Sequence, residues 1–140
     1  MKKAVIVYHS QTGITKKYAE EIGSYLEQKE LEVSILPIRD YKEGIIGDAD
    51  YLLLGCWTSG LMIVLQHPEK VWKEFAQRLP TGIKSKTALF TTYKILTGSM
   101  FGKMRTQLKG RIDTCPTEFK SRDGMLSEKD KMILDQFINE

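Results

Sequence analysis

Cysteine is scarce in this 140-residue chain, which has only Cys56 and Cys115. Two thiols far apart in sequence make no disulfide framework and lack the spacing of a zinc site. They point to a reducing, cytoplasmic setting. No apolar run approaches the roughly 20 residues that cross a bilayer. A strand pattern begins at residue 3, so neither a membrane span nor a signal peptide is expected. No Pro/Gly/Ser-rich linker, charge block or internal repeat divides the chain, and one domain over residues 1–140 is the simplest expectation. Carboxylates are missing between Phe75 and Ile112, where Arg78, Lys84, Lys86, Lys94, Lys103, Arg105, Lys109 and Arg111 all stand. That run reads either as solvated surface or as a docking face for something anionic.

What is present is a regular alternation. The apolar runs "KAVIVY" (3–8) and "YLLLGC" (51–56) read as strands buried on both faces, and "KTALFTT" (86–92) as a further strand. "LEVSILPI" (31–38) alternates as an edge or half-buried strand, and "RIDTCPTEF" (111–119) is a weaker fifth strand that Pro116 bends. Helical periodicity separates them. It begins near Thr15 with Tyr18, Ala19, Ile22, Tyr25 and Leu26 inward. A second helix follows Pro68 with Val71, Trp72, Phe75, Ala76 and Leu79 inward, and a third runs to Gly110. Ser127 and Asp130 form a capping pair for a last helix. Strand and helix in turn, five times over, predict a doubly wound α/β fold: a parallel sheet with helices on both faces. Ligands of such sheets sit at the carboxyl ends of the strands, which puts function in the loops 9–15, 56–67 and 93–98.

The first of these loops holds the chemistry. "SQTGIT", residues 10–15, packs three hydroxyls and a glycine between a buried strand and a helix start. Free backbone N–H groups and the positive end of the helix dipole meet there, and hydroxyls add donors, so the segment predicts a phosphate cradle built of dipoles. It is neither a Walker loop nor G-x-G-x-x-G. After the third strand, "GCWTSG" offers Trp57 as an aromatic wall, with Cys56 a small buried filler. After the fourth, "TTYKILTG" carries Tyr93 and the hydroxyls of Thr91, Thr92 and Thr97, which also suit ordinary strand-end and cap roles. Trp72 reads as core.

"IVYHSQTGIT" resembles the phosphate-loop signature of flavodoxins, and the length and element order of the whole chain are similar to a short-chain flavodoxin. The resemblance implies a five-stranded sheet in the order 2-1-3-4-5, flavin mononucleotide (FMN) as cofactor, and electron transfer to redox partner proteins, with no role for nucleic acid. It implies phosphate contacts from Ser10, Thr12 and Thr15 and from the amides of Gln11, Gly13 and Ile14. It places Cys56, Trp57, Thr58, Ser59 and Gly60, with Thr91, Thr92, Tyr93, Lys94, Thr97 and Gly98, around the flavin. The chain departs from the family in charge. Flavodoxins are typically acidic around these loops, whereas this one is basic, so an acidic docking face on the partner is expected. A response regulator shares the strand order but needs paired carboxylates after the first strand and an aspartate after the third. This chain has Tyr8-His9 and Gly55-Cys56 there. Two other readings stay open from sequence: a flavin-dependent quinone reductase or protoporphyrinogen oxidase on the same fold, and a flavin-free binding module.

Overall fold

The structure, a computed structural model, describes residues 1–10, 13–57, 68–93, 100–112 and 115–139. Five strands are found: β1 (Lys3–His9), β2 (Glu32–Pro37), β3 (Tyr51–Trp57), β4 (Lys86–Thr92) and β5 (Thr117–Ser121). They form one sheet in the order β2-β1-β3-β4-β5. Every neighbouring pair is parallel. The helices are α1 (Ile14–Gln28), α2 (Pro68–Arg78), α3 (Met100–Gln107) and α4 (Glu128–Asn139), with a 3₁₀ turn at Ile38–Asp40.

The alternation of side chains along each strand splits the interior into two cores. Ala4, Ile6, Leu53, Ala88, Phe90 and Phe119 pack against Tyr18, Ala19, Ile22 and Leu26 of α1 and Leu134 and Phe137 of α4. Val5, Val7, Leu52, Leu54 and Leu89 pack on the other side against Trp72, Phe75 and Ala76 of α2 and Met100 and Met104 of α3. Right-handed crossovers from parallel strand to parallel strand produce this two-sided cover. The central strands are buried on both faces, which is why their sequences lack a polar alternation.

Gly55 marks the closest approach within the sheet. A Cβ there would lie 2.1 Å from the Phe90 ring. Phe90 is itself held between Tyr18 and Phe119, at ring-centroid distances of 5.8 and 6.0 Å. The capping pair of α4 forms as the sequence predicts. The Asp130 amide donates to Ser127 Oγ at 3.1 Å and the Ser127 amide to Asp130 Oδ2 at 3.3 Å. The same carboxylate oxygen accepts the Tyr18 hydroxyl at 2.7 Å, tying α1 to α4.

Two boundaries differ from expectation. The fifth strand starts at Thr117 rather than at Arg111, and runs on to Ser121. Pro116, which has no N–H for a ladder, stands before the strand instead of bending it. Ile112 makes isolated bridges to Ile83 and Lys109. The third helix stops at Gln107. Its last turn tightens, with the Leu108 amide donating to the Arg105 carbonyl, three residues back, at 3.1 Å.

Four described cations of the basic run make separate structural contacts. The Arg111 guanidinium donates to the Ala76 and Gln77 carbonyls at the C-terminal end of α2, at 3.0 and 3.4 Å. Arg78 bonds the Tyr41 carbonyl and lies over the Tyr41 ring. Lys86 donates to the Phe137 carbonyl in the last turn of α4 at 2.7 Å. Arg105 pairs with Glu118. Cations at helix C-termini satisfy orphan carbonyls and oppose the dipole, so these four are spread over structural tasks.

Candidate functional site

The carboxyl ends of β1, β3 and β4 meet the start of α1. The β1 ladder register sets His9 beside Cys56, and the β3 register sets Cys56 beside Thr91 and Trp57 beside Thr92. The three loops named from sequence therefore leave from one edge. Of their candidate residues, Ser10, Gly13, Ile14, Thr15, Cys56, Trp57, Thr91, Thr92 and Tyr93 are described; Gln11, Thr12, Thr58, Ser59, Gly60, Lys94, Thr97 and Gly98 lie outside the described residues.

Gly13 caps α1 in the left-handed region, at φ 93°. Only glycine takes that conformation without cost. Its amide donates to Ser10 Oγ at 3.0 Å, closing a tight turn, and its carbonyl accepts the Lys17 amide at 2.9 Å. No acidic residue stands in the first turn of α1. The positive end of the dipole is thus left uncompensated, as an anion site requires.

Thr15 is buried, and its hydroxyl meets that of Thr92 at 2.5 Å. The pair joins the helix that starts at the hydroxyl-rich loop to the end of β4. Thr91 and Cys56 lie in the interior beneath. Thr91 Oγ1 donates to the Cys56 carbonyl at 2.5 Å, stitching β4 to β3. Burial pushes the Cys56 thiol well above the usual range and keeps it inert. Neither of these two side chains reaches the surface, as 0% exposure for both shows.

Trp57 is half-buried at the end of β3. Its indole Nε1 is buried without a hydrogen-bond partner among the described residues. An unsatisfied buried donor costs about 1–3 kcal/mol. His9 closes on the same indole, with ring centroids 6.4 Å apart and planes tilted by 42°. Tyr93 is half-buried, its amide donating to the Ser121 carbonyl at 3.2 Å. Lys120 and Arg122 of the β5 end lie against its ring at 5.4 and 5.6 Å from the centroid. A recess of about 290 Å³ beside the loop is lined by Tyr8, His9, Ser10, Gly13, Lys16 and Arg39 among others. A larger recess of about 720 Å³, lined by Asp48, Asp50 and Lys84 among others, opens at the opposite end of the sheet, away from these loops.

Burial without a partner lowers the affinity of His9 for a proton. Its pKa when folded lies below the unfolded value, so the unfolded chain takes up the proton first as pH falls. His9 therefore contributes stability that is fully present above roughly pH 6.5 and is lost as pH falls through the folded value. His9→Gln is expected to flatten the stability profile of the apo-protein below that pH. Denaturant midpoints measured from pH 7.5 to 5 check this; an unchanged slope contradicts it.

Several of these contacts were out of reach of sequence reasoning. The Thr15–Thr92 bond spans 77 positions. Lys120 lies in β5 and Arg122 just past its end, and nothing local to them names Tyr93 as their neighbour.

The geometry defines a class: a doubly wound α/β protein whose first helix starts without an acidic residue, with Trp57 and Tyr93 at the same carboxyl edge of the sheet. The flavodoxin family model matches residues 6–129, and the chain belongs to that family. It is 38% identical over 61 residues to a flavodoxin of Maridesulfovibrio salexigens, covering 43% of this chain and 42% of that one. It is 31% identical over 85 residues to a probable flavodoxin 1 of Bacillus subtilis, covering 61% and 54%. The matched segments thus span about half the length of these relatives. Its fold is similar to that of oxidised flavodoxin 2 from Bacillus cereus, with a TM-score of 0.73 and 17% identity over 96% of this chain and 94% of that one. Family and fold are those of electron-transfer flavoproteins. No helix among the described residues is long and apolar enough to cross a membrane.

Proposed function

We propose that this protein binds FMN at the carboxyl edge of its sheet and carries electrons to a protein partner. The observation that carries the reading is the start of α1, free of acidic residues, opening on the same edge as Trp57 and Tyr93. Ser10, Gly13, Ile14 and Thr15, with Gln11 and Thr12, would hold the phosphate through hydroxyls and amides. Trp57 and Tyr93 would wall the ring. When bound, the flavin supplies the electron chemistry, while the protein sets its access and potential.

The rim supports a docking preference. Lys16 and Arg39 flank the loop on one side, and Lys120 and Arg122 flank Tyr93 on the other. A partner with an acidic docking face is favoured by this field, and its association would slow as salt rises.

Titration of the apo-protein with FMN, followed by tryptophan fluorescence, tests the reading. Trp57 emission is expected to be quenched, and Trp57→Ala to remove most of the quenching and weaken binding roughly 3–10-fold, the loss of one aromatic stacking contact. Trp72 is 1% exposed and donates to the Met104 carbonyl at 3.2 Å. Trp72→Phe is therefore expected to lower stability and leave FMN affinity unchanged. Quenching that survives Trp57→Ala but not Trp72→Phe would move the ring site away from β3.

A further inference from the structure

Thr15 and Thr92 form the only hydroxyl–hydroxyl pair of the described site, and counting its protons is informative. The residues are 1% and 4% exposed, and their oxygens stand 2.5 Å apart. Each hydroxyl carries one proton and can accept as well as donate. The bond between them uses one of the two protons. The other has no acceptor among the described residues, although buried donors are almost always satisfied. The adjacent Thr91 shows the contrast, since its hydroxyl has a carbonyl acceptor on Cys56. Thr15 sits in the first turn of α1, beside free amides and the positive dipole end, whereas Thr92 ends a strand.

We infer that Thr92 is a positioning residue for phosphate binding: its hydroxyl donates to Thr15 Oγ1, turning the Thr15 proton into the cradle, where a phosphate oxygen accepts it. This rests on the FMN reading above and deepens it. Thr92 then does not touch the phosphate itself. It fixes the rotamer of the residue that does, and a donor that is itself receiving a hydrogen bond is strengthened by polarisation. The arrangement also ties the anion cradle to the β4 end. Tyr93 follows Thr92 directly and is held to β5 through Ser121, so phosphate anchor and aromatic wall share one rigid support.

The test compares FMN with riboflavin, which lacks the phosphate, using dissociation constants from flavin fluorescence. Thr92→Val is expected to weaken FMN binding about tenfold, the loss expected when a charge-assisted bond is no longer oriented, with riboflavin changed less than about twofold. Thr92→Ser, which restores the hydroxyl, should bind FMN as the parent does. Thr15→Val should cost at least as much as Thr92→Val, and the double variant no more than Thr15→Val alone, because the two act as a unit. Equal weakening of FMN and riboflavin by Thr92→Val would overturn the assignment, since a merely structural role moves both. Additive losses in the double variant would also overturn it, because each hydroxyl would then contact the ligand independently. If the parent discriminates between the two flavins and Thr92→Val discriminates equally well, this proposal fails and the phosphate cradle stands. If the parent binds both flavins alike, both fail together.

Discussion

Riboflavin is expected to bind the parent protein at least about 100-fold more weakly than FMN. The two ligands share the ring and ribityl chain, so the difference isolates the start of α1. Hydrogen bonds to a charged group contribute about 1.5–3 kcal/mol each, and two of them already exceed the 2.7 kcal/mol or so that a 100-fold ratio requires. Candidate donors are the Ser10 and Thr15 hydroxyls and the first free amides of α1, with no carboxylate in that turn to oppose them. The field of Lys16 and Arg39, which line the adjoining recess, has the same sign. The discrimination should therefore shrink only modestly between low and moderate salt, because the dipoles at the cradle are short-range and the lysine and arginine are the screened part. Competition between the two flavins at several salt concentrations measures this. A ratio near one would show that the hydroxyl-rich loop is not the anchor.

The largest stability effect is expected at Gly55. A methyl group there would fall 2.1–2.5 Å from three atoms of the Phe90 ring. The ring has nowhere to go: Phe90 is fully buried, edge-on to Tyr18 and stacked on Phe119. Tyr18 is in turn pinned by its bond to Asp130. Overpacking of this kind costs typically 1–3 kcal/mol, and the rigid surroundings place Gly55→Ala at the upper end, about 3 kcal/mol. Urea denaturation of the apo-protein should show it as a lower midpoint. Phe90→Leu in the same chain should recover part of the loss by making room. Gly55 is followed by Cys56 and Trp57 on the same strand, so the variant should also weaken flavin binding. Parent-like stability in Gly55→Ala would mean that the β3–β4 pair is less tightly packed than described.

The fold could be read from the sequence because each layer was written locally. Runs without polar alternation, such as "AVIV" and "YLLL", belong to the centre of a parallel sheet, and the edge strand β2 showed itself by the glutamate and serine between Val33 and Leu31 or Ile35. The Ser127–Asp130 cap was legible because its two bonds span three residues. The start of the cradle was legible for the same reason, as the Ser10–Gly13 turn is short. Contacts that close across the sheet were not. Thr92 looked like one of several hydroxyls, and only the register of β4 shows that its oxygen meets Thr15. Where the cations of the basic run point was not legible, because charge counts carry no direction. Arg78, Lys86 and Arg111 point to backbone carbonyls of distant segments, while Lys120 and Arg122, which lie against Tyr93, stand at and just past the end of β5, outside the run. The thiol of Cys56 and the hydroxyl of Thr91, grouped with the site by their position in sequence, face inward because strand side chains alternate and the β3–β4 register buries both.

The claim at the centre of this account is that the carboxyl edge of the sheet holds FMN through a phosphate anchor at the start of α1. The direct measurement is reconstitution of the apo-protein with FMN or with riboflavin, followed by desalting and a visible spectrum. The account predicts stoichiometric yellow protein with FMN and nearly colourless protein with riboflavin. Protein that emerges colourless with FMN, or equally yellow with both flavins, would contradict it.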